Sequence, residues 1–244
     1  MRERGRGAAV SAHQGGSELH SAETYEAYEA SAGSGAEYVE LDVRRLRDGT
    51  LVCRHDPRQG APLIELSYAE LCTRVGYEVP RVDRVLALLA GRTLAHIDLK
   101  ETGYETELLG VAVETLGRSG FVVTTFVDVS LRRIAQAFPG AATGLSLGRG
   151  VGDVPLPALP AAVLGDLFPA RRIRAVGATW ASINRNLAPW VLSRCARLGL
   201  RTMVWTVDRA DEIDRLLADP RVDVIVTNRP NFALDRREAL RRRG

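Results

Sequence analysis

Glu40 and Asp42 sit in Val39-Glu40-Leu41-Asp42-Val43, where their spacing carries chemical meaning. In an extended strand, positions i and i+2 share a face, so both carboxylates point one way and the three apolar residues the other. Adjacent acids repel, and burying such a pair is costly unless a cation neutralises it. A divalent metal seat is the simplest reading. Asp98 and Lys100 repeat the spacing in Ile97-Asp98-Leu99-Lys100. Glu40, Asp42 and Asp98 then form an all-oxygen donor set, which suits Mg²⁺ or Ca²⁺ better than zinc. Lys100, beside them, can neutralise an anionic substrate oxygen, and a metal with a lysine favours a phosphate ester. Histidine titrates near neutrality, so His13 and His55 suit an acid/base pair, with either one as the base.

Those side chains need a frame. Apolar strand patterns fall at 8–12, 38–43, 93–99, 121–125, 142–147, 178–183, 201–206 and 222–227. Helical patterns lie between them at 22–34, 82–89, 105–118, 129–137, 161–174, 187–198 and 210–218, with a last one at 231–242. Eight strands each followed by a helix predict an α/β protein with a single (β/α)₈ TIM-barrel domain over 1–244, its core at about 8–230. An open doubly wound sheet shares the alternation with fewer strands. A short strand at 51–54 follows the turn pair Asp48-Gly49, which predicts a β-hairpin insertion after the second strand. That hairpin would bring His55 towards Glu40 and Asp42. Ser21 can cap the first helix, Gly199 can end the helix before the seventh strand, and 148–160 is a Gly/Pro-rich loop. A barrel collects polar residues where its strands end. Here those ends carry His13, Gln14, the three acids, Lys100, Ser182, Asn184, Trp205 and Asn228.

A chain of 244 residues with 45% hydrophobic and 26% charged residues has the make-up of a globular enzyme. The net charge of +3 is local: residues 1–6 contribute +2 and 236–243 contribute +4, leaving the body near −3. The arginine-rich ends read as solvated, frayed termini rather than a nucleic-acid surface. Three widely spaced cysteines form no C-x-x-C pair, and no apolar run approaches a membrane span. With no leader pattern at the start, the expectation is a cytoplasmic protein acting on a small-molecule phosphodiester. A homo-oligomer is left open.

Several motifs carry a family resemblance. These are His13-Gln14-Gly15-Gly16, Gly35-Ala36-Glu37-Tyr38-Val39-Glu40-Leu41-Asp42, His55-Asp56-Pro57, Ile97-Asp98-Leu99-Lys100, and the stretch from Trp205-Thr206-Val207 to Thr227-Asn228-Arg229-Pro230. In this order, from about Ala8 to Pro230, the chain resembles the glycerophosphodiester phosphodiesterase family. The resemblance implies a TIM barrel, with His13 and His55 as the acid/base pair and Glu40, Asp42 and Asp98 as metal ligands. It further implies Lys100 as a phosphate contact and Trp205 as a pocket wall. Gln14 stands where the family usually has a phosphate-binding arginine, and Asp98 where it usually has glutamate. Ala22-Glu23 replaces the usual Glu-Asn pair. Aspartate at the third ligand position, with Trp205 and Asn228, is also similar to phospholipases D that release cyclic phosphates. A barrel repurposed to bind a phosphorylated ligand without hydrolysing it, or to act in specialised biosynthesis, is a further alternative.

Other residues have plainer readings. His96 shares the Asp98 face but lies deeper, as a hydrogen-bonded interior histidine would. His20 is a solvated loop residue, and Glu23 offsets the positive end of the first helix. Gly144-Leu145-Ser146-Leu147-Gly148 matches a nucleophile elbow, but no histidine follows Ser146, so it is set aside. Arg149 and Arg185 are the candidates to replace the guanidinium missing at Gln14.

Overall fold

Alternation in the strand sequences dictates how they curl. In the computed structural model, which describes residues 7–149 and 154–242, Tyr38, Glu40 and Asp42 share one face of β2 (Tyr38–Arg45), while Val39, Leu41 and Val43 pack outward with fully buried helix residues such as Leu86, Leu89 and Leu108. The outward faces of β4 (Leu94–Leu99) and β5 (Phe121–Thr125) join the same layer through Ala95, Ile97 and Val123. Each such side chain taken out of water contributes roughly 1.5–3 kcal/mol, so the outer layer fixes which face must turn inward. The other strands are β1 (Ala9–Ala12), β6 (Thr143–Leu147), β7 (Trp180–Asn184), β8 (Arg201–Trp205) and β9 (Val224–Thr227).

Eight of these strands pair in parallel, and β1 meets both β9 and β2, which closes the barrel. The (β/α)₈ expectation holds. The short β3 (Leu51–Cys53) pairs antiparallel with Val43–Arg45 where β2 runs past the rim, as the hairpin pattern predicts. At the N-terminal end of the strands, Tyr38, Val122, Trp180, Met203, Val224 and Val226 form an apolar plug inside the barrel. Gly144 makes room there, because a Cβ would lie 3.1 Å from both the Thr124 methyl and the Trp180 Cβ. Above the plug the interior turns polar, and the site begins.

The helices are α1 (Tyr25–Gly33), α2 (Tyr68–Val75), α3 (Val82–Leu89), α4 (Glu105–Leu116), α5 (Asp128–Ala137), α6 (Leu159–Leu167), α7 (Ala170–Val176), α8 (Ala188–Arg197), α9 (Ala210–Leu217) and α10 (Pro230–Arg241). Three expectations need correction. The single helix at 161–174 is two, α6 and α7, because Pro169 cannot continue the backbone ladder and Phe168 before it leaves helical geometry. The helix after β1 starts later than expected, and its cap is Thr24 rather than Ser21. The helix α2 was not expected, although Ser67 and Glu70 form a reciprocal capping box at its start. Gly199 does leave the turn after α8 in a left-handed conformation, and Gly150–Asp153 of the Gly/Pro-rich loop lie outside the described residues.

Two of the C-terminal arginines, Arg236 and Arg237, are not frayed, while residues 1–6 and 243 lie outside the described residues. Arg236 pairs with Asp214, and Arg237, 9% exposed, donates to both Glu37 carboxylate oxygens at 2.7 and 2.8 Å. Glu37 in turn accepts the Val10 N–H at 2.9 Å. One guanidinium thus ties α10 to β1 and to the start of β2, at the seam where the barrel closes. Arg237→Met should lower unfolding free energy by about 2 kcal/mol, the usual scale of a charged hydrogen bond. Denaturant unfolding measures it, and an unchanged midpoint would remove Arg237 from barrel closure.

Candidate active site

The inward faces of β2 and β4 place the acids. Asp42 and Asp98 are direct register partners on neighbouring strands, with Glu40 opposite His96 one layer below. Glu40 is 3% and Asp42 1% exposed. One oxygen from each of Glu40, Asp42 and Asp98 falls within 4.8 Å of the others, as a shared cation would require. Lys100 Nζ lies 2.6 Å from Asp42 and 2.5 Å from Asp98. Burial pushes the Asp42 carboxyl up, but the Lys100 charge and hydrogen bond outweigh it and hold Asp42 at about 2. Glu40 goes the other way: burial, with Asp42 beside it, raises its carboxyl well above the ordinary range. Burial alone would lower the Lys100 ammonium, yet Asp98 and Asp42 overcome it and raise the value. Three carboxylates therefore share one lysine, and the donor set fits a hard divalent ion.

His13 begins a tight 3-10 turn that leaves β1. The turn lies against the α1 backbone, and a Cβ on Gly15 would meet the Tyr28 nitrogen at 3.0 Å. The Gln14 backbone N–H donates to Glu40 at 2.7 Å, and its side-chain amide donates to Asp42 at 2.7 Å. Gln14 thus organises the acids. The His13 Nδ1 lies 2.8 Å from Asn228 Oδ1, while Asn228 Nδ2 donates to Asp208 at 2.7 Å. Since the Asp208 carboxylate accepts, Asn228 presents its carbonyl oxygen to His13. The His13 Nδ1 must then carry a proton, so in the neutral ring Nε2 is the nitrogen that holds the free lone pair.

His55 follows β3 at the rim, and partial burial lowers its pKa against the opposing pull of Asp42. Glu23 holds its backbone. That residue has φ +59°, is 8% exposed, accepts the His55 N–H and pairs with Arg54 at 3.1 Å. The helix-end reading of Glu23 is therefore wrong, because the carboxylate is folded into the site and burial raises its pKa despite Arg54. Trp205 meets Phe126 edge-on at 6.0 Å, and Arg149 lies 5.5 Å over the Phe126 ring. Neither proposed substitute for the missing guanidinium reaches Gln14: Arg149 is held at Phe126, and Arg185 pairs with Glu212 at 2.9 Å.

The sequence reading missed Thr124 as a site residue. Its hydroxyl donates to Asp98 at 2.7 Å and lies 2.9 Å from His96 Nε2, so His96 donates to Thr124. This chain orients the short third carboxylate, Asp98, from below. The signal was available, since Thr124 falls on the inward parity of its strand, but a threonine in a strand draws no notice. His96 itself is the buried, hydrogen-bonded histidine expected from its position.

A closed barrel with three carboxylates, a lysine and two histidines at its mouth defines the class: a TIM barrel equipped for phosphate-ester chemistry. Comparison with known proteins adds what the chain is similar to. Residues 13–70 match the model of the glycerophosphoryl diester phosphodiesterase family. A glycerophosphodiester phosphodiesterase of Caldanaerobacter subterraneus is 24% identical over 93% of this chain and 96% of its own length. A probable glycerophosphodiester phosphodiesterase 1 of Mycobacterium tuberculosis is 49% identical over a segment covering 20% of this chain and 18% of that one. The crystal structure of a glycerophosphodiester phosphodiesterase from Parabacteroides distasonis superposes with a TM-score of 0.76 at 19% identity, covering 97% of this chain and 99% of that one. An Oleispira antarctica phosphodiesterase solved with the product sn-glycerol-3-phosphate gives 0.73 at 18% identity, covering 95% and 97%. The family resemblance read from the motifs holds, and the solved structures establish the fold. Among the described residues, no helix is long and apolar enough to cross a membrane.

Two measurements probe this geometry. Thr124→Val should weaken divalent-ion binding by about 10–100-fold, the usual effect of losing a partner that orients a ligand. Calorimetric titration with Mg²⁺ or Ca²⁺ reads it, and wild-type affinity would dismiss the relay. Burial holds His96 down at about 4, so it stays neutral in the fold while the unfolded chain takes up a proton below about pH 6.5. Stability should therefore be intact above about pH 6.5 and fall by about 3 kcal/mol as pH drops towards 4. His96→Gln should flatten that part of the pH–stability curve, and an unchanged slope would assign it to other groups.

Proposed function

We propose that the mouth of this barrel is a metal-dependent phosphodiesterase site that cleaves a glycerophosphodiester to an alcohol and glycerol 3-phosphate or a related phosphomonoester. The observation that carries the proposal is the trio of buried Glu40 and Asp42 with half-buried Asp98, with Lys100 between two of them and both histidines above. The trio would hold a divalent ion, Mg²⁺ or Ca²⁺, which supplies Lewis-acid charge to a phosphoryl oxygen when bound. Lys100 adds a fixed positive charge beside the phosphate. His13 presents its Nε2 lone pair and takes a proton from the attacking water, whose oxygen bonds to phosphorus as the bond from phosphorus to the leaving alkoxide breaks; Asn228 keeps the ring in that tautomer, and Asp208 orients Asn228. His55 resides mostly neutral. The arriving phosphate anion raises its proton affinity, so that it can charge and then protonate the leaving alkoxide. Trp205, backed by Phe126, forms an apolar wall for the non-reacting part of the substrate. The reading places the enzyme in the cytoplasm and in lipid metabolism, acting on a small molecule.

His13→Ala and His55→Ala should each lower kcat by about 10²–10⁴-fold while folding survives. Chelation should abolish turnover, and added Mg²⁺ or Ca²⁺ should restore it. Phosphorus NMR of reactions with glycerophosphodiesters and lysophospholipids identifies the product. A linear monoester supports hydrolysis. A cyclic phosphate would assign the site to intramolecular transfer, and no product from any substrate would leave a binding barrel.

A further inference from the structure

The helix α6 is built inside out. Its nine residues, Leu159–Leu167, carry one charge, and that residue, Asp166, is the one it buries. Asp166 accepts the Gly148 and Arg149 backbone N–H groups at 2.9 and 3.2 Å and pairs with Arg172 at 2.6 Å. This pins α6 beside the mouth end of β6 through its carboxylate and leaves its apolar side chains in solvent. Leu156, Val163, Leu164 and Phe168 are 71, 44, 59 and 57% exposed, and Trp190 on α8 is 67% exposed. Phe168 and Trp190 meet through Arg194, whose guanidinium lies 4.7 Å over the Phe168 ring and donates to the Trp190 carbonyl at 2.5 Å. Exposed apolar side chains gathered on one face of a water-soluble fold mark an interaction surface.

Charge decides what covers it. Residues 154–207 contain seven arginines and a single acid, the buried Asp166, in a chain where the two signs otherwise nearly balance. Among the described residues, Arg171, Arg174, Arg194 and Arg197 have no carboxylate partner, whereas Arg172 and Arg185 do. Arg194, Arg197 and Phe168 border a cleft of about 280 Å³ between α7 and α8. A second copy meeting this face about a two-fold axis would set arginine against arginine, which like-charge repulsion disfavours. Aliphatic and aromatic side chains beside unpaired arginines complement an anionic lipid interface: the apolar groups enter the acyl boundary and the guanidinium groups meet phosphates. We propose that the face formed by α6, the Phe168 turn and α8 docks the protein reversibly on anionic lipid membranes.

Docking is read without turnover, so it stands or falls apart from the phosphodiesterase proposal. The full chain is sedimented with vesicles of phosphatidylcholine alone and of phosphatidylcholine mixed equally with phosphatidylglycerol. Binding to the anionic vesicles, weakening as salt rises, is the expected result. Leu164→Glu should reduce partitioning roughly tenfold, and Arg197→Gln should reduce it severalfold and flatten the salt dependence. Circular dichroism confirms that each variant folds, and the two act at separate exposed positions, so loss of one leaves the other informative. Absence of binding to anionic vesicles would overturn the proposal, as would binding that neither variant alters. A concentration-dependent dimer dissolved by Leu164→Glu would overturn it in favour of a second copy.

Discussion

Repulsion among three close carboxylates, two buried and Asp98 half-buried, is the constraint on which the barrel mouth is built. Register alone sets Asp42 opposite Asp98, a pairing that destabilises neighbouring strands when both side chains are charged. The chain answers with Lys100, one step further along the same face, bonded to both. Gln14 adds two neutral donors, one to Glu40 and one to Asp42. Even so, no ion pair reaches Glu40 among the described residues, and burial, with Asp42 beside it, raises its carboxyl well above the ordinary range. A fold that only needed stability would place apolar side chains here, as it does one layer lower at Tyr38 and Val122. The site therefore reads as an arrangement held ready for added positive charge.

Much of this was legible in the sequence, for a physical reason. Period-two alternation flanked by apolar residues leaves one solution for which face turns inward, so Glu40, Asp42, Asp98 and Lys100 could be placed together from spacing alone. The hairpin followed from Asp48-Gly49, and His96 from its parity and depth. What stayed hidden depends on loops and on contacts between distant segments. Glu23 enters the site only because it adopts φ +59° and reaches His55 and Arg54, more than thirty residues away. The clamp between Arg237 and Glu37 spans 200 residues, so a charge count reads it as a basic tail. The break at Phe168-Pro169 was visible as a proline, but the apolar run on either side masked it. The capping box of α2 was equally present at Ser67 and Glu70 and went unread beside the stronger signals.

Orientation passes to the reacting groups through neutral intermediaries. Asn228 stands between His13 and Asp208, and Thr124 stands between Asp98 and His96. A carboxylate placed directly on His13 would favour its imidazolium, whereas an amide fixes the ring's orientation without adding a charge beside it. Thr124 likewise restrains Asp98 through a neutral hydroxyl. Both devices separate the control of direction from the control of charge.

The differences at Gln14 and at Ala22-Glu23 act unequally on the site's charge. Glutamine where the resembled family usually has arginine removes a fixed positive charge, whereas Ala22-Glu23 keeps the single carboxylate of a Glu-Asn pair and moves it one position on, where Arg54 meets it at 3.1 Å. With those groups ionised, Glu23, Glu40, Asp42 and Asp98 face Lys100 and Arg54, an excess of two negative charges that a divalent ion would cancel. A phosphodiester then meets a nearly neutral pocket and brings one negative charge. A phosphomonoester carries up to two, and the neutral amide of Gln14 supplies less fixed positive charge to such a group than a guanidinium at the same position would.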